Sequence, residues 1–236
     1  MRAILIGALC ACGLGAGAVR AAAAATTRTA VVPSPIPAMP RALASATRYR
    51  LVVSSGALAG EPALQTTAIV VGRGTATRIY AIVVATAKGK TIHGEEYVAG
   101  SKVCRRLGTT GRFSCATSSS DAATMAQGFD PARLLVRPGV AVTFTPIAAR
   151  TVAGQRCDGY NVVSRFTTSE TSRGLFYVAH GSHLPCALDG TLRVTTSETD
   201  RSGKRTKRTK VQTATLSMVW SRFDDSSLTI PPIATS

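Results

Sequence analysis

From Arg48 onward, apolar and polar residues alternate in short runs, the period of half-buried β-strands rather than of helices. Tyr49, Leu51 and Val53 alternate with more polar neighbours, and near the far end Ala214, Leu216, Met218 and Trp220 share one face, with Thr213, Thr215, Ser217 and Ser221 on the other. Ala68 to Val71 and Ile79 to Ala85 are nearly continuous apolar runs rich in β-branched residues, as expected of strands packed on both faces. Thr91 to Val98, Ser101 to Leu107, Val140 to Phe144, Tyr160 to Phe166, Leu175 to Val178 and Leu188 to Val194 continue the series. The pattern predicts a mainly β chain of about ten or eleven strands. Two stretches read as helix: Arg41 to Thr47, and an interrupted segment of Asp121 to Gly128 and Pro131 to Val136, with Asp121 and Asp130 as N-caps and Pro131 at the first helical position.

One turn sets a register. Cys104 and Cys115 lie at equal distances from the two-residue loop Thr109-Thr110, which Gly108 and Gly111 flank. Loop length decides which residues stand opposite, so the two thiols face each other across a hairpin. A second hairpin turning near Glu170-Thr171 places Cys186 within two residues of the position opposite Cys157. The expected disulfides are therefore Cys104–Cys115 and Cys157–Cys186, which persist only in an oxidising compartment.

The N-terminus agrees with export. Arg2, the glycine-broken apolar stretch Ala3 to Val19, and the small-residue run Ala21 to Ala25 form a secretory leader over residues 1–25. A small residue before Cys12 and Leu9 three before it loosely resemble a lipoprotein processing site, so anchoring through Cys12 is the alternative to release into the periplasm or medium. Pro33, Pro35, Pro37 and Pro40 make residues 26–40 an extended linker, leaving one domain over 41–233.

The order of features is that of a known group. A short helix leads into strands and the hairpin Glu96-Tyr97-Val98-Ala99-Gly100-Ser101-Lys102-Val103. An Asp-Pro helical segment with Leu134 and Leu135 comes next, followed by Gly154-Gln155-Arg156-Cys157-Asp158-Gly159-Tyr160-Asn161-Val162, Gly174-Leu175-Phe176-Tyr177-Val178 and Leu184-Pro185. Ser221-Arg222-Phe223-Asp224-Asp225 with Ile230-Pro231 closes the chain. From Arg41 to Ile233 it resembles the bacterial lipoprotein-carrier superfamily, which includes periplasmic carriers, actinobacterial lipid-binding lipoproteins and envelope-stress sensor proteins. The resemblance implies an open, strongly curved antiparallel half-barrel with a few short helices as a lid, holding the acyl chains of a lipid or lipoprotein in an apolar pocket. The alternative within that fold is an envelope sensor or interaction module with no transported ligand. No functional position of the family carries over to a particular residue.

A long sheet must bury one face. Leu51, Val53, Ile82, Val84, Val142, Phe144, Val162, Leu216, Met218 and Trp220 are the candidates, either as a pocket lining or as plain core. With six Phe, five Tyr and one Trp, the strands are built from Ala, Val and Thr, which argues against a wide aromatic cavity.

The net charge of +16 adds a second expectation. Lys204, Arg205, Lys207, Arg208 and Lys210 cluster between the last two strands in a predicted loop, where an anionic membrane surface or envelope protein would balance them. Nucleic acid is a poor partner, because no aromatic residues interleave with the charges.

Enzyme chemistry finds no constellation: there is no Gly-x-Ser-x-Gly elbow, His-Glu-x-x-His helix or glycine-rich phosphate loop. The adjacent pairs Glu95-Glu96 and Asp224-Asp225 point to opposite faces of a strand and cannot act as an acid–base couple. His180, His183, Cys186 and Cys157 have zinc-ligand spacing, but in an exported chain the thiols pair with each other. No catalytic residue, metal or cofactor is expected.

Overall fold

The computed structural model describes residues 38–56, 62–73, 76–128, 141–165, 170–199 and 205–233. The leader, Cys12, most of the linker, the helical stretch at 131–136 and Lys204 lie outside them. The described residues form eleven antiparallel strands in one unclosed sheet, in the spatial order β6-β5-β4-β3-β2-β1-β11-β10-β9-β8-β7, and two helices. This is the open half-barrel expected.

The first half is a meander: β1 (Arg48–Ser55), β2 (Ala63–Val71), β3 (Arg78–Ala87), β4 (Lys90–Ala99), β5 (Lys102–Leu107) and β6 (Ser114–Thr117). The second half is another: β7 (Ala141–Val152), β8 (Gln155–Arg165), β9 (Glu170–Ala179), β10 (Pro185–Thr199) and β11 (Arg205–Ser221). The two join where β1 pairs with β11, with Leu51 opposite Trp220 and Val53 opposite Met218.

Residues directly opposite in an antiparallel ladder share a face. The register therefore places Leu51, Ala68, Ala81, Glu96 and Arg105 in one row with Trp220, and Met218, Leu188, Phe176 and Tyr160 in a row beside it. This inner face carries the main core, to which helix α1 (Met39–Ser45) adds Met39 and Leu43 and helix α2 (Ser119–Gly128) adds Ala122 and Met125.

Both helices differ from expectation at their starts. α1 begins two residues early, inside the predicted linker, because Pro40 falls in the first turn, where a missing N–H costs nothing. α2 is capped by Ser118, whose Oγ accepts from the Asp121 N–H at 3.2 Å, so Asp121 sits in the first turn rather than at the cap.

Both disulfides are present. Cys104 stands directly opposite Cys115, in the predicted register, although the ladder stops at Arg105 and Ser114 and the turn is wider than two residues. Cys157–Cys186 forms by a different route. The β8–β9 ladder puts Ala179, not a residue near Cys186, opposite Cys157. The chain then reverses again through Gly181 and His183, both at positive φ, and Cys186 returns on β10 at a bulge between Pro185 and Ala187. The bond thus joins β8 to β10 past the end of β9.

The basic cluster also differs from expectation. Arg205, Lys207, Arg208 and Lys210 belong to the backbone of β11 rather than to a loop ahead of it. The intervening Thr206, Thr209 and Val211 are β-branched and extend the strand, which pairs with Thr195 to Thr199 of β10.

Candidate functional site

Of the ten residues expected to line a pocket, eight stand on the inner face. Leu51, Val53, Val162, Met218 and Trp220 are buried there, and Val142, Phe144 and Leu216 are half-buried against them. Ile82 and Val84 are on the opposite face, where Ile82 is 40% exposed. The run Ile79 to Ala85 is apolar throughout and so has no alternation to read; pairing with β2 assigns Ile79, Ala81 and Val83 to the core instead. The sequence reading missed Phe176 and Leu188, which complete the row with Met218, and the lid residues Met39 and Met125.

The inner face is apolar beyond the core. Leu64, Val83 and Ala85 form a smaller buried cluster near its far end. Past them Ile92, opposite Ala85, is 55% exposed, and Leu107, opposite Gly94, is 70% exposed. Half-buried Val142, Phe144 and Tyr160 prolong the same surface on β7 and β8, with Phe144 and Tyr160 edge to face at 6.4 Å. The face thus has a filled centre and an open apolar end, here called the mouth. The signal for Ile92 was available, since it is a β-branched apolar residue flanked by polar Thr91 and His93 in a predicted strand.

Two ionic clusters flank the apolar surface, one on each face, as adjacent carboxylates in a strand require. On the inner face Glu96 is bound by Arg105 at 3.1 Å, and Arg105 reaches Asp121 of α2 at 3.4 Å, tying the lid helix to the sheet. Burial raises the Glu96 pKa above the ordinary carboxylate range, with Arg105 acting against it. On the outer face Arg106 binds Glu95 at 2.6 Å and lies over the Phe113 ring, while the Tyr80 hydroxyl donates to Glu95 at 2.7 Å. Burial and that hydrogen bond push the Tyr80 hydroxyl up to about 12. At the end opposite the mouth, Asp224 accepts from both the N–H and the hydroxyl of Thr47, which holds its pKa below the usual range.

The Trp220 indole N–H is buried and has no hydrogen-bond partner among the described residues. His180 pairs with Asp158 at 3.0 Å, and Cys157 and Cys186 are joined to each other. Among the described residues no three His, Cys, Asp or Glu side chains gather as a metal site would require.

The outer face carries a feature with no sequence signal. Arg150 of β7 reaches across β8 and β9 to Asp189 of β10 at 2.8 Å, lying over the Tyr177 ring at 3.9 Å. In a flat sheet β7 and β10 stand about 14 Å apart, a gap that the long Arg150 side chain and Asp189 close over the Tyr177 ring. Glycine stands at 159 on the strand between, where a Cβ would meet Ala148 O and Ile147 Cγ1 at 2.7 Å. A trough on this face, about 610 Å³, is bordered by Ser54, Asn161, Arg173, Leu175, Asp189 and Thr215 among others. Leu216 is the one expected pocket residue at its border.

No protein-family model matches the sequence, nor does any curated protein. Solved structures do match. LprF from Mycobacterium bovis has a TM-score of 0.53 at 10% identity, over 85% of this chain and 95% of that one. The Mycobacterium tuberculosis lipoprotein LppX gives 0.49 at 11% identity over 86% and 96%, and a LolA superfamily protein from Nitrosomonas europaea 0.26 at 9% over 80% and 88%. The chain thus shares its fold with LprF, and that fold is an open antiparallel half-barrel with helices on its inner face.

Proposed function

We propose that this is an exported, non-enzymatic, carrier-like protein that holds the acyl chains of a lipid or lipoprotein on the inner face of its half-barrel. The observation that carries the proposal is the exposed apolar continuation of the inner face, from the buried Leu64, Val83 and Ala85 to Ile92 and Leu107. Isolated exposed apolar residues are ordinary, but a strip continuous with the core and rimmed by polar groups is a ligand or partner surface. Two disulfides support folding in an oxidising compartment.

The chain's one tryptophan, Trp220, lies in the core of this face and reports on it directly. Brominated acyl chains added to the purified protein are expected to quench its emission saturably. Each buried methylene contributes about 0.8 kcal/mol, so affinity should rise roughly fourfold per CH₂ until the chain outruns the surface. Absence of saturable quenching, with no chain-length dependence in a parallel calorimetric titration, would count against the carrier reading. It would favour an envelope sensor or interaction module, for which the outer-face trough is the supporting observation.

A further inference from the structure

We propose that the mouth end docks on an anionic lipid surface through an arm formed by β10 and β11. The pairing defines this arm. β9 accompanies β10 only as far as Glu170 opposite Val194, and β1 accompanies β11 only as far as Ser55 opposite Leu216, with one further bond from Gly56 N–H to Thr215 O. Beyond those points Thr195 to Thr199 and Arg205 to Val211 pair, among the described residues, only with each other. Five residues at about 3.3 Å each carry the ribbon roughly 17 Å past the described residues of its neighbours.

Arg205, Lys207, Arg208 and Lys210 all fall on the β11 limb of this ribbon, and one acid, Glu198, on the β10 limb. The register shifts between Ser197 and Thr199, so that Thr206 to Arg208 stand against Glu198 alone and the basic run is longer than its partner by two residues. The antiparallel order brings other cations to the same end of the sheet. Lys88 and Lys90 are exposed at the β3–β4 turn, and Arg173 borders the trough at the arm's root without a carboxylate partner among the described residues. Glu170 is the acid placed beside that root.

The exposed Ile92 and Leu107 open at this same end. Basic strand positions and exposed apolar residues at one end of the sheet match a membrane interface, where cations meet anionic headgroups and apolar side chains reach the acyl boundary. Nothing aromatic interleaves with the basic run, as nucleic-acid stacking would require. Lysines can also guard the bare edges of a ribbon against strand pairing, and the test separates that role from docking.

The full chain would be floated with vesicles of phosphatidylcholine alone and of phosphatidylcholine mixed with phosphatidylglycerol. Binding is expected to the mixed vesicles only, at low salt, and to vanish at high salt. The variant Arg205→Gln/Lys207→Gln/Arg208→Gln/Lys210→Gln should lose roughly tenfold or more in partitioning. A variant that removes the same charge at the opposite end, Arg41→Gln/Arg78→Gln/Lys102→Gln/Arg156→Gln, should keep most of it. Equal loss in the two variants would overturn the proposal in favour of diffuse attraction to a cationic protein, and failure of the unmodified chain to float would overturn it outright. Unchanged Trp220 emission confirms that each variant is folded. Docking depends on the arm and not on an occupied inner face, so a chain that fails the acyl-quenching test would still float.

Discussion

Glu95 and Glu96 are neighbours with different chemistry, because adjacent strand positions look to opposite faces. Glu96 is buried under α2, and its raised pKa means that the folded chain holds a proton more tightly than the unfolded one. Its contribution to stability is therefore full below the ordinary carboxyl range and is lost as pH rises through the raised value. Glu96→Gln is expected to flatten that slope in thermal melts across mildly acidic to neutral pH. Gly159 makes a second prediction at this scale. Gly159→Ala forces a Cβ against backbone and side-chain atoms closer than contact distance, so chemical denaturation should show a loss of about 1–3 kcal/mol. On β3 the face assignment can be tested directly. Val83→Asp buries a charge in the Leu64 and Ala85 cluster and should unfold the chain or lower its midpoint severely, whereas Ile82→Thr, one residue away on the outer face, should cost far less than Val83→Thr.

The disulfides brace different kinds of element. Cys104–Cys115 joins residues already opposite in one hairpin, 11 positions apart, whereas Cys157–Cys186 closes 29 positions and bridges β8 to β10. Loop-closure entropy alone makes the longer link worth about 1 kcal/mol more. The Cys157→Ser/Cys186→Ser pair should therefore lower stability in denaturant titrations more than Cys104→Ser/Cys115→Ser.

What could be read in advance follows the same division between local and long-range information. The β5–β6 register was legible because a glycine-flanked turn lies between its cysteines. The Cys157 partner was legible from a hairpin turning near Glu170-Thr171, but its path was not, since it depends on an extra reversal at Gly181 and His183. Strand existence came from alternation, but the faces of the Ile79 to Ala85 run came only from pairing with β2, which no local pattern encodes. The Arg150–Asp189 pair needed residues 39 positions apart to meet across two intervening strands. The long β11 has a weak local signal because a dense run of charge masks the interspersed β-branched strand formers Thr206, Thr209 and Val211.

At the scale of the whole molecule, the inner face is complete at its centre and unfinished at its mouth. An acyl ligand that covers the mouth should stabilise the fold in proportion to its occupancy, by about 2.7 kcal/mol at a free concentration one hundred times Kd. A ligand-dependent rise in thermal midpoint is the expected reading, and the chain-length series that quenches Trp220 should rank the same way.

The unclosed sheet ends on β6 and β7, and the two ends are unequal. β6 is four residues long and fastened by a disulfide, while β7 runs for twelve residues. A long bare margin is a template on which another copy of the chain can add its own strand. Within β7, Pro146 has no N–H to offer, and the ladder is irregular between Ile147 and Arg150. The two features interrupt the described margin and so disfavour the addition of a neighbour's strand. Pro146→Val should remove that safeguard and appear as concentration-dependent self-association in light scattering.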